Sequence, residues 1–142
     1  MTPHRYSLQI IERHLDTFGH VNNATYLEIL EEARWDWITQ NGYGIERVQK
    51  ERKGPTILEV RLTFKRELRN RERIEIVTWT EEYSSKVGTV VQQILNAAGE
   101  VCCEARLVCG LFDLERRRLI APTPEWRAAV GLPPEGAEPL PS

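Results

Sequence analysis

Asp16-Thr17-Phe18-Gly19-His20-Val21-Asn22-Asn23-Ala24-Thr25-Tyr26-Leu27 is the stretch on which the reading of this chain turns. Up to Val21 it has no regular period, and Gly19 interrupts it. From Asn22 the pattern becomes helical and holds to about Gln40. Leu27, Leu30, Arg34, Trp37 and Ile38 fall on one side of that helix, and Ile29, Ala33 and Trp35 widen the apolar arc. Glu28, Glu32 and Asp36 form a polar stripe at spacing four. Asn22 or Asn23 can supply the N-cap, and Asn41-Gly42 a stop. So wide an arc predicts that something broad wraps around the helix.

Outward from the helix the period changes to two. Residues 5–14 read as a strand, with Tyr6, Leu8 and Ile10 alternating against polar neighbours. After a loop rich in Lys and Arg come four further strands, over 58–64, 74–78, 87–95 and 101–112. Gly99 marks the turn between the last two. The expected order is one strand, one long helix and four strands in a meander, followed by a short helix through Trp126 to Val130. Such a chain makes an α+β domain, its helix packed on one face of a curved antiparallel sheet. The domain is expected over residues 1–132, and residues 133–142, with four prolines, are expected to form a flexible tail.

The 142 residues suit one core rather than two. A net charge of −2 gives no overall pull toward nucleic acid or an anionic membrane. No apolar run approaches the roughly 18 to 20 residues of a membrane span. The first residues lack the apolar run of a signal peptide, so a cytoplasmic location is expected. Cys102, Cys103 and Cys109 match no paired metal-binding spacing and read as reduced sheet residues. No metal ligand set stands out.

Residues 16–23 place a carboxylate, an imidazole, a glycine and two carboxamides in a turn that feeds a helix start. The first helical N–H groups have no intrahelical partners and carry partial positive charge. They can bind an anion, or an oxyanion developing on a carbonyl. Asp16, seven residues before Asn23, can fold back toward the same point, to attack a carbonyl or activate a water. Each residue also has a plain structural reading: Asp16 as a turn cap, His20 as a loop histidine, the asparagines as helix caps.

The run D-x-x-G-H-V-N-N-x-x-Y-L, followed by Glu28, Glu32, Ala33 and Arg34, resembles the hotdog-fold acyl-CoA thioesterases of the 4-hydroxybenzoyl-CoA thioesterase-like group. The resemblance covers about residues 5–121. It implies a five-stranded antiparallel sheet wrapped around one long central helix, dimers joined sheet edge to sheet edge, and often tetramers as dimers of dimers. It implies that Asp16 is the catalytic carboxylate and that the backbone N–H of Asn23 polarises the thioester carbonyl. Gly19, Val21, Asn22 and Tyr26 then line the substrate, with His20 as a further candidate near the leaving thiolate. Many relatives carry a second aspartate where this chain has His14, and the GHVNN form also resembles plant acyl-carrier-protein thioesterases.

Lys65 and Arg66 open a basic run (Lys65 to Arg73), and Lys50, Arg52 and Lys53 lie upstream; either set can hold the phosphates of coenzyme A or simply be solvated. The expected activity is hydrolysis of an acyl-CoA to free acid and CoA, with no cofactor beyond the coenzyme A of the substrate. Two other classes remain: a hotdog enoyl-CoA hydratase or dehydratase, and a non-catalytic acyl-thioester-binding module. Hydratases space their aspartate and histidine by four residues with N-P between, whereas Asp16 and His20 have three and no proline. The acyl group itself is not legible.

Overall fold

The computed structural model describes residues 2–136. Strand β1 (His4–Gln9) leads through a 3-10 turn (Glu12–His14) to helix α1 (Asn23–Gln40). A second helix, α2 (Ile45–Glu51), precedes strands β2 (Lys53–Phe64), β3 (Arg73–Ser84), β4 (Val87–Leu95) and β5 (Val101–Asp113). A short β6 (Arg118–Ile120) and helix α3 (Pro124–Ala129) follow. The main sheet is antiparallel and runs β1-β3-β4-β5-β2, with β6 pairing β5. One long helix against one antiparallel sheet is the α+β hotdog arrangement that the resemblance implies.

The register explains why the helix is held. Tyr6, Ile76, Ile94, Cys103 and Phe64 form one cross-strand row, and Thr80, Val90, Leu107 and Val60 another. Side chains at these positions share one face of the pleat. Opposite them α1 presents Tyr26, Ile29, Leu30, Ala33, Trp37 and Ile38, all buried. A polar tie reinforces the contact: Gln92, fully buried on β4, donates from Nε2 to the carbonyl of Leu30 at 3.0 Å and to Thr78 Oγ1 at 3.1 Å. At the far end Trp126 of α3 closes the core, edge-on to Tyr43 at 5.2 Å and donating to the Tyr83 hydroxyl at 3.2 Å.

Four expectations need correction. The four later strands are not a simple meander, because β2 pairs with β5 and leaves the place beside β3 to β1. Alternation within a strand fixes its faces but not its long-range partner. The Lys- and Arg-rich loop contains α2, whose seven residues bury only Val48 and so give almost no periodic signal. The first strand stops at Gln9, where the chain tightens into the 3-10 turn and buries His14. Leu27 is 41% exposed rather than buried, as are Val60 and Phe64 on the facing rim of the sheet, because α1 does not cover β2 there. The tail expected over 133–142 lies mostly outside the described residues; within them, the carbonyl of Pro133 accepts from Arg127 Nε at 2.8 Å. Among the described residues no helix is long and apolar enough to cross a membrane.

Ile76 is wholly buried where β3 meets α1. Ile76→Ala is expected to cost about 3 kcal/mol through lost burial and a residual cavity. The check is a urea unfolding curve, in which the midpoint falls while the slope stays unchanged.

Candidate active site

A small closed turn carries Asp16. Leu15 and Val21 form an isolated antiparallel bridge, and both pack against the core. Inside that bridge the Asp16 N–H donates to the His20 carbonyl at 2.8 Å, and the Gly19 N–H donates to the Asp16 carbonyl at 3.0 Å. Gly19 has φ 79°, a conformation that disfavours any side chain. A Cβ there would meet nothing within 4 Å, so backbone conformation rather than crowding calls for glycine.

The Asp16 side chain is exposed, and its Oδ1 accepts from the N–H groups of His20 at 3.0 Å and Phe18 at 2.9 Å. The bond from the His20 N–H is the chief reason its pKa is lowered. Desolvation opposes this, and the Phe18 N–H and the nearby His20 ring assist. The turn therefore holds an ionised carboxylate in water, with one oxygen committed to the loop. Phe18, beside it, is 84% exposed. Sequence reasoning passed over Phe18; the available signal was an aromatic residue in a turn, with no helix or strand face to pack on.

Two residues past Val21 of the bridge, α1 begins. Asn22 is the N-cap, and not Asn23: its Oδ1 accepts from the Thr25 N–H at 3.0 Å, and its carbonyl accepts from Thr25 and Tyr26 at 3.1 and 3.2 Å. The N–H groups of Asn23 and Ala24 have no acceptor among the described residues. They are the first donors of an 18-residue helix, where its dipole is most positive. Tyr26 is buried one turn in, edge-on to Phe64 at 5.0 Å.

The His20 imidazole does not bond the Asp16 carboxylate. Its Nε2 lies 3.6 Å from Glu67 Oε1, and both side chains are well exposed. That contact, with the ion pair between Arg71 and Glu12, brings the loop over residues 65–72 beside the Asp16 turn. Lys65 and Arg66 start this loop, and their N–H groups both donate to the Cys102 carbonyl. The Arg66 side chain pairs with Glu100 at 3.0 Å, whereas Lys65 and Arg69 make no ion pair among the described residues. Lys50, Arg52 and Lys53 lie elsewhere: the twelve residues of β2, about 36 Å of extended chain, separate Lys53 from Phe64.

His14 is buried, and its Nδ1 accepts from the Ile11 N–H at 2.9 Å. Burial lowers its pKa, so it serves the turn as a neutral ring. The three cysteines are buried and free, and burial pushes the thiols of Cys103 and Cys109 up to about 11. Little thiolate is then present at neutral pH.

The family profile of the thioesterase-like superfamily matches residues 12–131. The long-chain acyl-CoA thioesterase FadM of Escherichia coli (strain K12) is 30% identical over 115 residues, covering 80% of this chain and 86% of that protein. A DHNA-CoA thioesterase from Staphylococcus aureus is 19% identical, with a TM-score of 0.81 over 92% of this chain and 90% of its own. Protein SAV2348 of the same species, solved in complex with CoA, is 14% identical, with a TM-score of 0.84 over 100% of this chain and 98% of its own. At such identities the two structures speak for the fold, and it is the family match and the bacterial relative that decide kinship: the chain belongs to the thioesterase-like superfamily and is a thioester hydrolase.

Proposed function

We propose that this enzyme hydrolyses acyl-CoA thioesters, with Asp16 as the reactive carboxylate and the start of α1 as the oxyanion site. The observation that carries the reading is the pairing of an exposed, ionised Asp16 with the unengaged N–H groups of Asn23 and Ala24, two residues beyond the Leu15–Val21 bridge. A thioester carbonyl oxygen against those donors gains their stabilisation as negative charge develops on it. Asp16 either attacks the carbonyl carbon, giving an acyl-aspartate that water then cleaves, or removes a proton from an attacking water. Both routes expel the CoA thiolate, which takes up a proton, and release the free acid. CoA enters with the substrate and leaves as product, and the chemistry draws on no other cofactor.

Lys65 and Arg69, without an ion pair among the described residues and on the loop beside the Asp16 turn, suit the phosphates of coenzyme A. In this reading Gly19, Val21, Asn22 and Tyr26 frame the thioester end, and His20, exposed in the same turn, is the candidate to meet the departing thiolate. Edge strand β2 carries exposed Ile57, Leu58, Val60 and Phe64, a long unpaired edge that favours pairing with a second copy. A homodimer through β2, alone or doubled into a tetramer, follows from that. The buried free cysteines suit the reducing cytoplasm.

The decisive experiment is free-thiol release from a panel of acyl-CoAs by wild type and Asp16→Asn. Asparagine keeps the Oδ1 acceptor that Phe18 and His20 need, so the loop persists while the charge is lost. A loss of about a hundredfold in kcat/KM, some 2.7 kcal/mol of transition-state stabilisation, is expected. Binding without thiol release by wild type points instead to a binding module, and addition of water to an enoyl-CoA to a hydratase.

The lowered pKa of Asp16 fixes the sign of the pH dependence. The reactive ionised form is present above that pKa and is lost as pH falls through it. The acid limb of kcat/KM is therefore expected below the ordinary aspartate value of 3.8, in a titration with folding followed by circular dichroism. Leu58, 52% exposed at the β2 bulge, tests the interface. Leu58→Lys is expected to lower the mass seen by light scattering from a multiple of the chain toward a single chain, and an unchanged mass argues against the β2 edge.

A further inference from the structure

Arg34 is a charged residue that neither the fold nor the proposed chemistry accounts for. It is half-buried on the sheet-facing side of α1. Its Nη1 donates to Gln92 Oε1 at 3.1 Å, and Gln92 is itself fixed by Leu30 and Thr78. Arg34 makes no ion pair among the described residues; Glu31, one turn earlier and exposed, is the nearest carboxylate that acts on it. A guanidinium has five N–H donors, and among the described residues this one makes a single bond. No buried side-chain N or O among the described residues lacks a partner, so the donors Arg34 leaves unused face accessible space.

That space is a cavity of about 240 Å³ between α1 and the sheet. Apart from Arg34 and the exposed Glu31 it is walled chiefly by Trp35, Ile38, Ile57, Val90 and Trp126. Partly exposed apolar side chains lie between it and the start of α1 and mark out a lane: β2 runs from Ile57 at the cavity to Phe64, which meets Tyr26 in the first turns of the helix. Leu27 stands seven residues before Arg34 on the same helix face, and Ile57 and Val60, though exposed, share the pleat face of buried Cys109 and Leu107. Arg34 is eleven positions beyond Asn23, about 16 Å along the axis, and its side chain leans back toward the helix start. An extended chain of single bonds advances about 1.2 Å per bond, so roughly 8 to 13 bonds bridge the two points.

We propose that Arg34 is a specificity-determining residue that receives an oxygen acceptor, carboxylate or hydroxyl, carried at the distal end of a medium-length acyl chain. The inference rests on the acyl-CoA reading above, which puts the thioester carbonyl at Asn23. A chain ending in a methyl group takes water from the unused donors and returns nothing. A chain ending in oxygen restores their bonds, and sites built on a buried polar group discriminate strongly against ligands that lack its partner.

The test compares kcat/KM for three families of CoA thioester, from octanoyl to hexadecanoyl: unsubstituted, ω-hydroxy and ω-carboxy. At the chain length that spans the lane, wild type is expected to prefer an oxygenated tail by about tenfold or more. Preference for both tails identifies recognition of a hydrogen-bond acceptor, and preference for carboxylate alone identifies recognition of charge; either supports the proposal. In Arg34→Met, close in shape but without donors, the oxygenated-to-plain ratio is expected to collapse toward one, and Arg34→Lys is expected to recover part of it. Wild-type rates equal within about twofold at every length overturn the proposal alone, and they do so even if Arg34→Met fails to fold. A ratio that survives in folded Arg34→Met overturns it as well. Absence of thiol release from every substrate overturns the acyl-CoA reading, and this inference with it.

Discussion

The burial of one broad helix face against one sheet is the constraint on which the molecule depends. Ala33, with only a methyl group, is fully buried in that contact. Gln92 then reaches from β4 to the Leu30 carbonyl in mid-helix. These contacts fix the axis and rotation of α1, so the direction of its first N–H groups is set by packing some distance away. The Leu15–Val21 bridge ties the Asp16 turn to the same core. Carboxylate and helix end are thus two branches of one packed unit, and neither depends on the other for its position.

The helix also separates two kinds of electrostatics. At its start the donors are backbone groups at the protein surface, next to a carboxylate kept ionised by two N–H bonds. Two-thirds of the way along, the charge is a half-buried guanidinium beside aromatic and aliphatic walls. The first environment is wet and suits charge that appears and vanishes during a reaction. The second is drier, and there a fixed charge acts more strongly on whatever enters.

The parts of this structure that were legible in the sequence are those written in short-range patterns. The Asp16 turn, an asparagine cap at 22 or 23, the span of α1 and the alternating strands each depend on residues a few positions apart. What was not legible depends on distant partners. Nothing within residues 53–64 says that β2 lies beside β5 at the sheet edge, and nothing in KRELRNRER says that Glu67 will face His20. Arg34 is the sharpest case: its helical position grouped it with apolar residues, yet its meaning awaited Gln92, fifty-eight residues away. Of the acyl-site residues that the resemblance implied, Tyr26 proved buried against Phe64, and Val21 half-buried in the anchoring bridge.

The walls of the Arg34 cavity have a spectroscopic consequence. Trp35, Trp37 and Trp126, three of the four tryptophans in the chain, line it, and only Trp79 lies elsewhere, on β3. Indole emission depends on the polarity and hydration of its surroundings. The intrinsic fluorescence of this protein is therefore dominated by a single half-open cavity, and the chain carries its own optical gauge of how wet that cavity is, with no label attached.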